Sequence, residues 1–220
     1  MAAHWLVMCA IFLAVTGCTG RGGAATPAAP GVLFRDDFSN LDSGWDVHSG
    51  ADMTVNYADG RYLISVAEPG VNVWARPGLN LTDLRLEADS WYGAGPINNE
   101  YGLLCRYERH GDGSNSFYFF FVSSDGYYAL GKVVRDVRTI LSPPEGSFQP
   151  TEALRLEPDA SNALAATCAG NQFSLAVNGV TVGEFADDEL SRGDIGLIAG
   201  TFDEGGVEIY FDNVVVRDPA

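Results

Sequence analysis

Gln172-Phe173-Ser174-Leu175-Ala176-Val177-Asn178-Gly179-Val180-Thr181-Val182-Gly183-Glu184-Phe185 decides how the rest of the chain is read. Phe173, Leu175 and Val177 alternate with Gln172, Ser174 and Ala176, the period of two that lines one face of a strand with apolar side chains. Asn178-Gly179 tolerates the left-handed backbone of a two-residue hairpin, so Val180 to Phe185 is expected to return antiparallel.

The same pattern continues in both directions. Leu84, Leu86 and Ala88 alternate with Arg85, Glu87 and Asp89, and Val207, Ile209 and Phe211 alternate with Glu208, Tyr210 and Asp212. Ser124-Asp125-Gly126 reads as a turn between Phe117–Val122 and Tyr127–Val133. Phe117-Tyr118-Phe119-Phe120-Phe121-Val122 is apolar on both parities, which suits a central strand covered on both sides. Roughly a dozen short strands broken by Gly, Asn, Asp and Pro imply an all-β, antiparallel two-sheet sandwich, since each sheet must bury one face. Helical periodicity is not expected after the N-terminal segment.

That segment carries the clearest targeting signal. The eleven apolar residues Trp5 to Val15 are about half of the ~20 needed to span a bilayer as a helix. They match the apolar stretch of a secretory signal. Val15-Thr16-Gly17-Cys18 then resembles the lipobox of bacterial lipoproteins, although residues 1–10 hold no Lys or Arg, where such signals normally carry positive charge. The resemblance implies removal of residues 1–17 and diacylation of Cys18. A plain signal peptide cut near Gly20 is the competing reading. Acyl chains, at about 0.8 kcal/mol per buried methylene, would hold the protein outside the cytoplasm on the cell membrane or outer-membrane surface. Residues 18–31, rich in Gly, Ala, Thr and Pro, read as the lipidated cysteine and a flexible tether with a reach of about 20 Å. Residues 32–220 form the expected sandwich domain.

Removing residues 1–17 from 220 leaves 203, within the size of one all-β domain, and 46% hydrophobic residues suffice for a large core. The net charge is −16, with 29 acidic and 13 basic residues. Such a chain repels the phosphate backbone, so nucleic acid is excluded as a partner. It also repels anionic headgroups, so the membrane partner would be held by the acyl chains alone. Cys105 and Cys168 remain after Cys9 and Cys18 are assigned to the N-terminal segment. Both fall on apolar parities of strands, so an exported chain would join them in a disulfide, with two separate buried thiols as the alternative. No cofactor is expected. His48 and His110 lack ligand spacing near a cysteine. Asp36-Asp37, Asp187-Asp188 and Asp203-Glu204 would offer hard oxygens to calcium, but none has a recognised loop spacing.

Phe34-Arg35-Asp36-Asp37-Phe38, Ser43-Gly44-Trp45 and Phe211-Asp212-Asn213-Val214 resemble the opening and closing strands of concanavalin A-like lectin/glucanase domains. Tyr101 to Tyr107, Phe117 to Gly126 and Ile195-Gly196-Leu197 also look like that superfamily, and more narrowly like exported domains related to 3-keto-disaccharide hydrolase. The resemblance spans about residues 32–218. It implies a jelly roll whose first and last strands pair, with a concave sheet that often binds glycans. Retaining glucanases of this fold carry Glu-x-Asp-x-(x)-Glu on one strand face. Glu87-Ala88-Asp89-Ser90-Trp91-Tyr92 lacks the final Glu, so catalysis is not favoured and Glu87 and Asp89 read more simply as a solvated face.

With Cys105 in the core, parity sends Leu104, Arg106 and Glu108 to the opposite sheet face, where Tyr118, Phe120, Tyr128 and Lys132 are expected to join them. Trp74 and Trp91 are further flat surfaces on which a sugar ring would stack. Each of these aromatics has a competing reading as packing. The leading expectation is a glycan- or ligand-binding module. A structural or protein-interaction domain of the envelope comes second and a glycoside hydrolase third.

Overall fold

The computed structural model describes residues 31–142 and 146–219. The expected signal, Cys18 and all but the last residue of the tether lie outside the described residues. Every regular element among them is a strand, and every strand pair is antiparallel.

Two sheets face each other. The first has nine strands: β1 (Val32–Asp36), β2 (His48–Ser49), β3 (Met53–Ala58), β4 (Arg61–Val66), β6 (Leu84–Ala94), β12 (Ser161–Ala169), β13 (Gln172–Val177), β14 (Val180–Ala186) and β16 (Val207–Arg217). The second has seven: β5 (Asn72–Ala75), β7 (Asn99–Arg109), β8 (Asn115–Val122), β9 (Tyr127–Val134), β10 (Val137–Ile140), β11 (Gln149–Pro150) and β15 (Asp194–Thr201). The nine-stranded sheet runs β14-β13-β12-β6-β16-β4-β3-β2, with β1 also on β16, so the first and last strands of the domain pair as expected. The seven-stranded sheet runs β10-β9-β8-β7-β15-β5, with β11 on β9.

The alternations seen in the sequence become the inner faces. Leu84, Leu86 and Ala88, then Phe173, Leu175 and Val177, then Val207, Ile209 and Phe211 are all buried in one core between the sheets. Fully burying side chains of this size stabilises by roughly 1.5–3 kcal/mol each, which is why register is not free to slip. Cys105 on β7 and Cys168 on β12 are joined by a disulfide, so the covalent link runs through the core from one sheet to the other.

Turn chemistry also follows the residues. Asn178 and Gly179 both have positive φ, at 50° and 84°, and Val177 stands opposite Val180. A second two-residue hairpin has no glycine. Arg135 and Asp136 sit at φ 48° and 63° between Val134 and Val137. The Asp136 carboxylate accepts from the Asn115 backbone N–H at 3.0 Å and from its Nδ2 at 2.9 Å, which offsets the left-handed strain.

Two of the acidic pairs considered for calcium spend a carboxylate internally. Asp36 accepts from Trp45 Nε1 at 2.9 Å and from the Phe38 N–H at 2.8 Å. Asp187 accepts from the Tyr118 hydroxyl at 2.6 Å and from Lys132 Nζ.

Candidate functional site

One bulge sorts the side chains of the seven-stranded sheet. Leu104 pairs with Gly196 and Tyr107 with Asp194, so Cys105 and Arg106 together stand opposite Ile195. On the other side of β7, Cys105 pairs with Tyr118 and Glu108 with Ser116, leaving two residues opposite Phe117. Arg106 takes φ 54°, and the strand kinks so that Tyr107 joins the face of Leu104. This sends the Arg106 side chain inward rather than out to solvent.

The expected binding face is therefore corrected. Tyr118, Phe120, Tyr128 and Lys132 do share a face, but it is the face of Cys105, turned into the sandwich. Tyr118 and Phe120 are fully buried. Arg106, 2% exposed, donates to the carbonyls of Thr82 (3.0 Å), Leu190 (2.8 Å) and Gly170 (2.9 Å) and to Asp83 Oδ1 (3.1 Å). Its guanidinium lies 5.0 Å from the Phe173 ring, so it ties loops together from inside. Lys132 bridges Asp187 and Glu189 at the sandwich edge. Burial works against its charge, but those two carboxylates outweigh it and raise its pKa. Burial and the hydrogen bond to Asp187 push the Tyr118 hydroxyl up to about 12. Trp91 lies on the nine-stranded sheet, under the Arg61 guanidinium at 4.4 Å. Only Trp74 and Glu108 of the expected residues reach the outer side of the seven-stranded sheet or its rim.

That outer side carries a second apolar layer. Leu104, Tyr107, Phe117, Phe119, Phe121, Ala129 and Ile198 pack together there, with Trp74, Val133, Ile140 and Phe148 half-buried around them. Phe119 and Phe121 stack at 4.5 Å, and the Arg138 guanidinium lies about 5 Å above both rings. Arg138 in turn grips Glu100 with two hydrogen bonds of 2.8 and 2.7 Å. Gly131 makes room for this layer, because a Cβ there would meet Phe119 Cζ at 2.7 Å.

Two clefts flank the layer. At one end a cleft of about 650 Å³ is lined by Arg76, Asn80, Tyr107, Glu108, Arg109, Ser191, Arg192 and Asp194, together with Gly78, Leu79 and Gly193. Tyr107, its one aromatic lining residue among the described residues, belongs to a triangle beside the cleft, in which Trp74 lies 6.1 Å from Tyr107 and 5.7 Å from Phe117 and Tyr107 stacks on Phe117. The Arg76 guanidinium carbon lies over the Tyr107 ring at 4.2 Å. Asp194 shapes the floor, accepting from the N–H groups of Gly78, Leu79 and Ile195. Burial raises its pKa despite those bonds.

At the other end a cleft of about 480 Å³ is lined by Asn98, Ser123, Asp125, Tyr127, Phe148, Phe202 and Asp203. Tyr127 is exposed, and Phe148 meets Phe202 edge-on at 5.8 Å.

Glu87 and Asp89 stand on the outer face of the nine-stranded sheet, away from both clefts. Glu87 accepts from Arg85 at 2.8 Å and Arg217 at 3.4 Å, and Asp89 accepts from Asn213 at 2.9 Å. Among the described residues, no group of three His, Cys, Asp or Glu is placed to hold a metal ion.

Residues that sequence reasoning missed are Arg76, Tyr107, Arg109, Arg192 and the odd-numbered Phe117, Phe119 and Phe121. A usable signal was present in Gly131, Gly196 and Gly200, whose missing side chains leave room for Phe119, for Leu104 and Arg76, and for Asn72 and Glu100.

Neither a protein-family model nor a curated protein matches the sequence. Solved structures do match in fold. The carbohydrate-binding module CBM66 from Bacillus subtilis aligns with a TM-score of 0.61 at 16% identity, over 80% of this chain and 96% of that one. A Bacillus subtilis protein of unknown function with a galectin-like fold aligns at 0.65 and 11%, over 86% and 96%. A Bacillus licheniformis β-glucanase aligns at 0.60 and 12%, over 87% and 100%. The domain is thus an antiparallel two-sheet jelly roll that shares its fold with these proteins. Identities this low define the fold and leave the ligand to the site itself.

Proposed function

We propose that the protein is an exported glycan-binding module whose reading surface is the outer side of the seven-stranded sheet with its two clefts. The observation that carries this is the Trp74–Tyr107–Phe117 triangle, which presents a half-buried indole beside a cleft rich in hydrogen-bonding side chains. Flat aromatic surfaces accept the apolar face of a sugar ring, and neighbouring Arg, Asn and Glu side chains serve its hydroxyls. The presence of a carbohydrate-binding module and a glucanase among the fold neighbours supports the reading.

Binding rather than hydrolysis is the function proposed. Glu100 is spent on Arg138, and the incomplete carboxylate strand faces the other way. Screening the purified protein against a glycan array, with mass spectrometry of the supernatant, tests this. Retention of at least one glycan class without released fragments is expected. Failure to retain any saccharide contradicts it in favour of a protein-interaction domain, and fragment release restores the enzyme.

The finer part of the proposal is location. The disulfide fits an oxidising compartment, and Cys18 with residues 19–31 would hang the domain from a membrane on its tether. Mass spectrometry of the mature N-terminus is expected to find a diacylated Cys18. An unmodified Cys18 removes the anchor from the proposal.

A further inference from the structure

The cleft beside the aromatic triangle is anomalous in charge. The chain carries −16 overall, yet three of its 13 basic residues, Arg76, Arg109 and Arg192, line this one depression. Elsewhere the cations are mostly consumed in ion pairs: Arg85 and Arg217 with Glu87, Arg106 with Asp83, Lys132 with Asp187 and Glu189, Arg135 with Asp112, and Arg138 with Glu100. Here they are not. Arg109 and Arg192 are exposed and form no ion pair among the described residues, and Arg192 uses only its Nε, donating to Asn80 Oδ1 at 3.0 Å. Arg76 has a partner in Asp46 at 3.3 Å and lies 4.2 Å over the Tyr107 ring, so two contacts orient its guanidinium before any ligand arrives.

Two acidic groups share the cleft, and neither forms an ion pair with these arginines among the described residues. Glu108 is exposed and lies 3.6 Å from His110. Asp194 is buried and already accepts three backbone N–H groups. The opposite cleft is lined by Asp125 and Asp203, with no Arg or Lys among its described lining residues. Three guanidinium groups and two carboxylates thus line one cleft, and two carboxylates line the other.

Resting on the glycan-binding reading above, we propose that the Arg76–Arg109–Arg192 cleft selects acidic saccharides, seating the carboxylate of a uronic acid residue among these guanidinium groups. Guanidinium forks match carboxylate oxygens two by two, and the adjacent half-buried Trp74 indole supplies the stacking surface for the sugar that bears the acid. Neutral chains would forgo the ionic half of this contact.

Titration of the purified protein with an oligogalacturonate, with the same oligomer carboxyl-reduced, and with a panel of neutral oligosaccharides tests the proposal. The uronate is expected to bind at least roughly tenfold more tightly than its reduced form, with affinity falling as salt is raised. The Arg109→Ala/Arg192→Ala double variant is expected to lose roughly tenfold or more of the uronate affinity. Its thermal stability should stay that of the parent, since both side chains are exposed.

Equal binding of the uronate and its reduced form, or binding of neutral chains alone, overturns the acidic selection and leaves the glycan reading standing. Uronate binding that survives the double variant unchanged overturns the placement in this cleft. Binding of no saccharide at all overturns both.

Discussion

β8 delivers aromatic rings to two environments that do opposite work. Tyr118 and Phe120 point into the sandwich, where Tyr118 packs 4.1 Å from Phe173 and hydrogen-bonds to Asp187. Phe117, Phe119 and Phe121, one residue out of phase, build the outer layer on which Trp74 and Tyr107 rest. The inner set is closed by Arg106 and Lys132, whose charges are consumed within the protein. At the rim of the outer set the charges of Arg109 and Arg192 are left open to solvent. The lesson is that apolar composition does not distinguish scaffold from surface; what the neighbouring charges are bonded to does.

The contrast can be broken most forcefully from the inside. Replacing Cys105 and Cys168 with serine removes a link across 63 residues and is expected to cost roughly 4 kcal/mol on the chain-entropy model, read by urea denaturation. Glycan affinity per folded molecule should not change. Arg106→Ala comes next, at roughly 3 kcal/mol, because it removes a buried guanidinium and its four hydrogen bonds, three of them to loop carbonyls. Loss of binding at unchanged stability in that variant would return Arg106 to the ligand surface.

The pH dependence of the edge network follows. Burial opposes the Asp187 charge, but hydrogen bonds from Lys132, Tyr118 and the Glu189 N–H outweigh it and lower its pKa below the ordinary 3.8. A depressed carboxylate contributes stability that is complete above its unfolded pKa and disappears as pH falls through the folded value. Acid unfolding followed by tryptophan fluorescence should therefore show Asp187→Asn losing less stability below pH 3.8 than the parent. Equal acid sensitivity would mean that the carboxylate is not held in this way. The smallest effect on stability is expected at the outer surface, where Trp74→Ala should cost about 1–2 kcal/mol by calorimetry.

Much of the scaffold was legible in the chain. Alternation at Leu84–Ala88, Phe173–Val177 and Val207–Phe211 marked inner faces because a half-buried strand cannot hide its period. Asn178-Gly179 marked its hairpin, Cys105 and Cys168 fell on core parities, and the resemblance of the termini correctly implied that the first and last strands pair.

The outer surface was mostly illegible, for physical reasons. Phe117–Val122 is apolar on both parities, so its phase carries no information about which rings face out. The bulge rests on a left-handed arginine, which no local sequence rule anticipates, and it displaced Arg106 from the expected face. Arg76, Arg109 and Arg192 follow β5, end β7 and precede β15, so only the sheet order brings them to one cleft.

The most direct measurement is a matched titration of one bound oligosaccharide against Trp74→Ala and Tyr118→Phe. Placement of the ligand on the outer side predicts that Trp74→Ala weakens binding by roughly tenfold or more, whereas Tyr118→Phe loses some stability and binds as the parent does. Retained affinity in Trp74→Ala together with loss in Tyr118→Phe would contradict it.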